Sequence, residues 1–458
     1  MSNPRQHAAE IVRTLRQRGH QAYFAGGCVR DILLSREPAD YDVATDATPP
    51  QVMQIFPQTY AVGEQFGVVL VPTAENDGEK HSLARPAERS KQVVEVASFR
   101  ADLGYSDGRH PDQVRFSKDP QEDAQRRDFT INGMMFDPAT NEILDFVGGQ
   151  DDLKKGIIRA IGDPHRRFEE DKLRMLRAVR FAARFNYHID PATLNAIQNL
   201  APKIHQVSAE RVREELTKML TEGQARRAFE LLDTTRLLPE VLPEIAAMRG
   251  VAQPPQYHPE GDVFIHTLLL LEKLRRGAGG SISKTLAWGA LLHDVGKPPT
   301  FRIAPDRIRF DGHVEVGVKM AAEILRRLRF PNRETDQILA LVDNHMRFGD
   351  VQRMKQSTLK KFLRLPAFDE HLEMHRIDCL SSHGQLDAYE YSQQQLRAMP
   401  PEAIRPTPLI TGRDLIEAGY KPGPRFKELL AAVEDAQLEG RLASHEEAME
   451  FVLRDFPV

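Results

Sequence analysis

Four short runs in the first hundred residues carry the apolar alternation or apolar density of β-strands. They are QAYFAGG at Gln21–Gly27, DYDVAT at Asp40–Thr45, FGVVLV at Phe66–Val71 and QVVEVASF at Gln92–Phe99. Helical stretches are interleaved with them. From Asp151 onward the hydrophobic period is almost purely helical, so the pattern predicts an α+β chain with its strands at the front. Arg249–Asp262, with VAQPPQYHPEGD, reads as a linker or loop between two helical blocks, and MPPEAIRPTP at Met399–Pro408 sets off a last segment. These breaks suggest regions 1–150, 151–248, 249–400 and 401–458. Thr73–Gln92 is polar throughout and reads as an insertion between two strands.

Composition narrows the class. A chain of 458 residues exceeds one ordinary core, and 41% hydrophobic with 28% charged residues describes a globular protein. No apolar run approaches the ~20 residues of a bilayer span. MSNPRQHAAE lacks the apolar centre of a signal peptide, and two cysteines, Cys28 and Cys379, cannot build a disulfide framework, so a reducing cytoplasm is expected. A net charge of −4 argues against a general polyanion binder.

The chemistry begins in YFAGGCVRDILLSREPADYDVAT, Tyr23–Thr45. On a strand, Asp40 and Asp42 share a face while Tyr41 and Val43 point opposite. Two like charges so placed repel, and a divalent cation such as Mg²⁺ removes the repulsion. Glu95, amid valines on another predicted strand, is a third candidate carboxylate. Gly26 and Gly27 end a strand and let the backbone approach a ligand, the next helix offers its N-terminus to phosphate, and Arg30 adds a bidentate donor.

GGCVRD, DYDVAT, RRDFTING and EDKLRMLRAVRFAARF resemble, in order and spacing, the motifs of bacterial class II tRNA nucleotidyltransferases and their poly(A) polymerase relatives. The likeness runs from about Ala22 to Arg184 and continues more weakly to the C-terminus. It implies a polymerase-β-like head with a five-stranded sheet, followed by helical neck, body and tail.

Other motifs acquire roles in that light. RRDFTING, Arg126–Gly133, reads as a helix end followed by a strand. The resemblance puts Arg127 on the triphosphate and Asp128 with Asn132 near the ribose. Glu170, Asp171 and Arg174 form an E-D-x-x-R element in which Asp171 and Arg174, three apart on one helix, are neighbours. Together they offer an acceptor and donors to the Watson–Crick edge of a base. Arg174, Arg177, Arg180 and Arg184 lie within a stripe of roughly 120° on a helix of ~100° per residue. With few acidic neighbours in sequence, they call for an anionic partner such as a triphosphate. Arg100–Phe116 reads as a long loop, and in the family a flexible loop here serves the switch from CTP to ATP. The poly(A) polymerase branch carries a basic run after D-x-D, where this chain has Glu64 and Gln65, a departure that favours the tRNA enzymes.

A second constellation lies downstream: His266, His293-Asp294, His313, His345 and Asp378. His293-Asp294 before Gly296 and Pro298 could merely end a helix. Imidazoles with carboxylates suit a transition metal, and the order H…HD…D resembles the HD phosphohydrolase superfamily. His266, His293, Asp294 and Asp378 are the expected set, with His313 and His345 for a second position. The basic runs RRLRFPNR (Arg326–Arg333) and RMKQSTLKKFLR (Arg353–Arg364) are candidates for an RNA backbone. The expected activity is Mg²⁺-dependent addition of CCA, from CTP and ATP, to the 3′ end of tRNA, with an HD-type phosphohydrolase activity alongside. Poly(A) addition, A-only addition and a protein-modifying nucleotidyltransferase joined to an HD domain are the alternatives.

Overall fold

A computed structural model of the chain describes residues 3–61, 67–72, 93–104, 113–275 and 280–457. The expectations attached to Glu64 and Gln65, to residues 73–92 and to residues 105–112 lie outside the described residues. The chain forms two compact units, Met1–Met219 with Arg227–Pro243, and Leu220–Arg226 with Glu244–Val458.

The first unit opens with α1 (Pro4–Gln17), whose Asn3 cap accepts from the Arg5 amide at 3.0 Å and whose apolar face buries Ile11, Val12 and Leu15. There follow β1 (Ala22–Ala25), α2 (Gly27–Leu33), β2 (Asp42–Thr45), α3 (Pro49–Ile55), β3 (Tyr60–Ala61), β4 (Val68–Pro72) and β5 (Val93–Ser98). Next come β6 (Arg100–Leu103), β7 (Gln113–Phe116), α4 (Pro120–Gln125), β8 (Met135–Phe136) and β9 (Ile143–Leu144). The main sheet runs β3-β4-β5-β2-β1-β8-β9 and is mixed: β2 pairs antiparallel with β1 and parallel with β5, which sets Asp42 opposite Glu95. Alternation explains the core, since Phe24, Val43, Val69 and Val96 are fully buried from four neighbouring strands.

Three expectations change here. Among the described residues the sheet has seven strands rather than five, because two-residue strands β3 and β9 extend its edges. The strand expected in RRDFTING is a 3₁₀ turn, Thr130–Asn132, whose tight winding turns Asn132 back toward Asp128. The loop expected over Arg100–Phe116 has paired ends, β6 with β7 antiparallel.

After the sheet come α5 (Pro164–Glu170), α6 (Leu173–Phe185) and α7 (Ala209–Thr221). Ten of the thirteen residues of α6 are buried, nine of them apolar. A large buried side chain contributes about 1.5–3 kcal/mol, so the nine apolar residues fix where α6 lies, and largely buried ion pairs then hold its arginines.

The second unit packs α8 (Val263–Glu272), α9 (Lys284–Leu292), α10 (His313–Arg327), α11 (Asn332–Asn344) and α12 (Phe368–Ser381). Trp288 of α9 is wholly buried, its ring 5.0 Å from Phe330. A small hairpin, Arg302–Ile303 with Ile308–Arg309, interrupts the helical pattern. Gly296 lies where any Cβ would strike the His313 carbonyl and the Gly317 backbone, which lets the turn after His293-Asp294 close on the start of α10. The last helices share their own core of Leu415, Tyr420, Leu429 and Val452. Among the described residues no helix is long and apolar enough to cross a membrane.

Candidate active site and imidazole–carboxylate cluster

In the first unit a cavity of about 510 Å³ is lined by Gly26, Gly27, Arg30, Asp40, Asp42, Arg127, Asp128, Asn132, Asp171, Arg174, Arg177 and Arg180, with Arg126, Phe181 and Arg184. Residues from motifs 150 positions apart thus meet in one place. Glu95 does not line it. The parallel register sets Glu95 beside Asp42 on β5, and it does not close a three-ligand set with Asp40 and Asp42. β2 begins only at Asp42, so Asp40 sits on the approach to the strand, exposed, with Tyr41 buried between the two. Burial, then Asp40 and Glu95, push the Asp42 carboxyl up to about 7. Arg127 opposes that rise without cancelling it, so burial and crowding prevail, and the hard carboxylate oxygens suit Mg²⁺.

Gly26 has φ +77°, and a Cβ there would come within 2.9 Å of the Arg127 guanidinium. The glycine lets β1 turn into α2 directly beneath that arginine. Arg127 is held by the buried Asp123 of α4, which accepts from its Nε at 3.2 Å and from a terminal nitrogen at 2.9 Å. Burial would raise the Asp128 carboxyl, yet Arg177 and the Asn132 amide outweigh it and hold it at about 2.

Arg30, expected as a phosphate donor, lines the cavity but is engaged within the protein. α2 turns it inward over the Phe185 ring, its centre 4.6 Å away. There it bonds Asp31 at 2.9 Å and Asn132 at 2.8 Å, so all three guanidinium nitrogens are engaged within the protein.

The E-D-x-x-R element also differs. Helix α5 ends at Glu170 and Asp171 is extended (φ −148°, ψ 106°), so Asp171 and Arg174 stand on either side of a break rather than on one helix. Arg174 pairs with Glu170 at 2.7 Å, and Asp171 pairs bidentately with Arg211 at 3.2 and 2.8 Å. The α6 stripe does have acidic partners. Arg177 bonds Asp128 at 2.9 Å and Arg180 bonds Glu215 at 2.6 Å. These acids lie 35 to 49 positions away in sequence, which is why the chain alone suggested their absence. Asp123, Arg211 and Glu215 are the residues that sequence reasoning missed here. An acid one helical turn ahead of an arginine pair was the available signal for Asp123.

In the second unit the structure brings together every histidine and carboxylate of the H…HD…D pattern. His266, His293 and Asp378 form one set of candidate ligands, and Asp294, His313 and His345 another. His293 Nδ1 lies 2.9 Å from the Ala290 carbonyl, His313 Nδ1 2.9 Å from Phe310, and His345 Nδ1 2.7 Å from Val342. Each backbone bond fixes the proton on Nδ1 and leaves Nε2 as the lone-pair donor facing the cluster. The Nε2 atoms of His266, His293, His313 and His345 are buried and make no aligned hydrogen bond, meeting only the carboxylates of the cluster. Asp294 Oδ2 lies 3.1 Å from His293 Nε2, and its Oδ1 lies 3.9 Å from His313 and 3.8 Å from His345. Burial holds His345 down at about 4, so its imidazole is neutral. Buried nitrogens without an aligned hydrogen bond around a buried carboxylate fit a transition-metal site better than a set of helix caps. Lys297, at 2.7 Å from Asp294 Oδ2, was not anticipated, nor were His258 and Glu260, which stand beside His266 in the stretch read as a linker.

The basic runs are engaged with acids. Arg327 pairs with Glu244, Arg353 with Asp350, Lys361 with Asp435 and Arg364 with Glu434. That is the pattern of ordinary solvated faces.

Sequence profiles match the chain in three places: the Poly A polymerase head domain over residues 22–159, a probable RNA and SrmB-binding site of polymerase A over 186–249, and the HD domain over 263–382. A CCA-adding enzyme of a Geobacillus species is 30% identical over 98% of this chain and 96% of its own. One from Bacillus subtilis is 29% identical over 97% and 96%. The crystal structure of a Bacillus stearothermophilus CCA-adding enzyme in complex with CTP matches with a TM-score of 0.72 at 27% identity, covering 98% of each chain. A Thermotoga maritima CCA-adding enzyme complexed with tRNA shares the fold, with a TM-score of 0.58 at 18% identity. The chain belongs to the CCA-adding enzyme family.

Proposed function

We propose that this chain adds C, C and A in turn, from CTP and ATP, to the 3′ end of tRNA by Mg²⁺-dependent nucleotidyl transfer. The observation that carries the reading is the single cavity holding the Asp40–Asp42 pair, Arg127, the α6 arginines and the Asp171–Arg174 element together. Asp40 and Asp42 would hold Mg²⁺, which when bound supplies Lewis-acid activation of the primer hydroxyl and of the reacting phosphate. Arg127, braced by Asp123, faces the same cavity wall as Asp42 and serves the triphosphate. Asp171 offers acceptors and Arg174 donors. Cytosine and adenine each present an amino donor beside a ring-nitrogen acceptor on the pairing edge, whereas uracil and guanine present the reverse. Protein groups of fixed polarity therefore select C and A without a template.

The test uses tRNA ending before the first C, after one C and after CC, each incubated with one nucleotide at a time. The expected pattern is C into the first two, A into the third, and neither U nor G into any. Homopolymeric A on all three, or failure to incorporate C, contradicts it.

The imidazole–carboxylate cluster supports a second activity, hydrolysis of phosphate monoesters or 2′,3′-cyclic phosphates, in the HD manner. His266, His293, Asp294, His313, His345 and Asp378 would hold the transition metal, whose bound water supplies the nucleophile. Metal analysis of the purified chain and turnover of a 2′,3′-cyclic nucleotide, compared with His293→Ala, test it. A chain that takes up no such metal on reconstitution leaves the cluster structural.

A further inference from the structure

We propose that Glu260 is a positioning residue of the cluster, fixing His266 through Nδ1 and thereby setting the affinity of the metal that His266, His293 and Asp378 would share. The inference rests on the reading of that cluster as a transition-metal site.

The four inward-facing imidazoles are not equivalent. His293, His313 and His345 each lie at or beside a helix end and give Nδ1–H to a backbone carbonyl three residues back. His266 sits inside α8, where the Asp262 carbonyl is already taken by the His266 amide at 3.0 Å. Its Nδ1 instead lies 2.7 Å from Glu260 Oε1, a buried carboxylate oxygen. Among the four, this is the imidazole backed by an anion rather than a neutral carbonyl. A carboxylate behind an imidazole fixes its tautomer and makes the opposite nitrogen the stronger ligand.

Glu260 is not there to cap the helix. Asp262 does that, accepting from the Ile265 amide at 2.7 Å, and it also accepts from the Gly250 amide at 2.9 Å. Nor does Glu260 fit as a direct ligand together with His258 and His266. Its Oε1 stands 2.8 Å from His258 Nδ1 and 2.7 Å from His266 Nδ1, which are hydrogen-bond lengths. Two ligand atoms each about 2.1 Å from a tetrahedral ion stand roughly 3.4 Å apart. The contacts of His266 Nε2 with Asp378 (3.2 Å) and of His293 Nε2 with Asp294 (3.1 Å) lie near that spacing. Glu260 Oε2 is buried without a hydrogen-bond partner, a cost with no return in a purely structural residue. His258 braces Glu260 from the other side, its ring edge-on to His266 at 4.9 Å.

The test titrates Co²⁺ into the full-length chain after chelator stripping, reading affinity by calorimetry and geometry by visible absorption. Glu260→Gln keeps the shape and an acceptor but removes the charge. Its Co²⁺ affinity should fall by about 10- to 100-fold with an altered absorption band, while CCA addition is unchanged. His258→Gln, which leaves the Glu260–His266 bond, should lose less than Glu260→Gln. If Glu260→Gln misfolds, Glu260→Asp keeps the charge but withdraws it, and the same loss in a folded variant carries the test. Wild-type affinity and spectrum in a folded Glu260 variant would overturn the proposal. Failure of the wild-type chain to bind Co²⁺ would instead overturn the metal reading beneath it.

Discussion

Asp42 carries the strongest consequence of any one residue. Its carboxyl rises from an ordinary 3.8 to about 7 in the folded chain. Between those values the folded chain binds a proton that the unfolded chain does not, so this group's contribution is full at low pH and is lost as pH rises through about 7. Asp42→Asn should therefore melt higher than the wild type above pH 7 without Mg²⁺, and the difference should vanish toward pH 4. The same variant should lose addition by ~10²-fold or more. Equal melting temperatures at pH 8, with activity retained, would remove Asp42 from the metal site. Asp42 was legible in the sequence because D-x-D brings two carboxylates together at a strand-like run, although the strand itself begins only at Asp42. The inward turn of Arg30 was not, because the rings of Phe181 and Phe185 that receive it belong to a helix 150 positions away.

At the scale of elements, the break between α5 and α6 sets where Asp171 and Arg174 stand, and the proposed reading of a base depends on it. Asp171→Ala or Arg174→Ala should admit UTP or GTP, measured as the ratio of incorporation rates for the four nucleotides. An equal loss for all four, with selectivity kept, would assign these residues to structure. The break itself was illegible, since E-D-K-L-R has helix formers on both sides and the extended Asp171 is held by Arg211, forty positions on. Helix α7 supports the stripe behind it through Glu215. Glu215→Ala leaves the buried Arg180 without that partner, a change that costs about 3–5 kcal/mol in comparable pairs. The first thermal transition should drop by several degrees, and differential scanning calorimetry reads it directly. The strands and the arginine-bearing helix were legible as elements from period alone. The partners that complete them were not, because tertiary contact leaves no local trace in one chain.

Over the whole molecule, two sites of different donor chemistry occur in two units of one chain. The head offers carboxylate oxygens and the second unit offers imidazoles, so they should separate by metal. After chelation, Mg²⁺ alone should restore nucleotide addition, and Ni²⁺, Co²⁺ or Mn²⁺ should restore hydrolysis of a cyclic phosphate. His293→Ala should abolish the second and spare the first. The H…HD…D order was legible because its members stand in recognisable helical surroundings. His258 and Glu260 were hidden in a Pro- and Gly-bearing stretch with no period, and a histidine and glutamate just ahead of a histidine-bearing helix were the only hint. The measurement that tests the central claim most directly is sequencing of product 3′ ends after a truncated tRNA is incubated with the chain, Mg²⁺ and all four nucleotides together. The account predicts tRNA ending in CCA and no further growth, absent from the Asp42→Asn reaction. Tails of repeated A, single A additions to a tRNA lacking CC, or products containing U or G would contradict it.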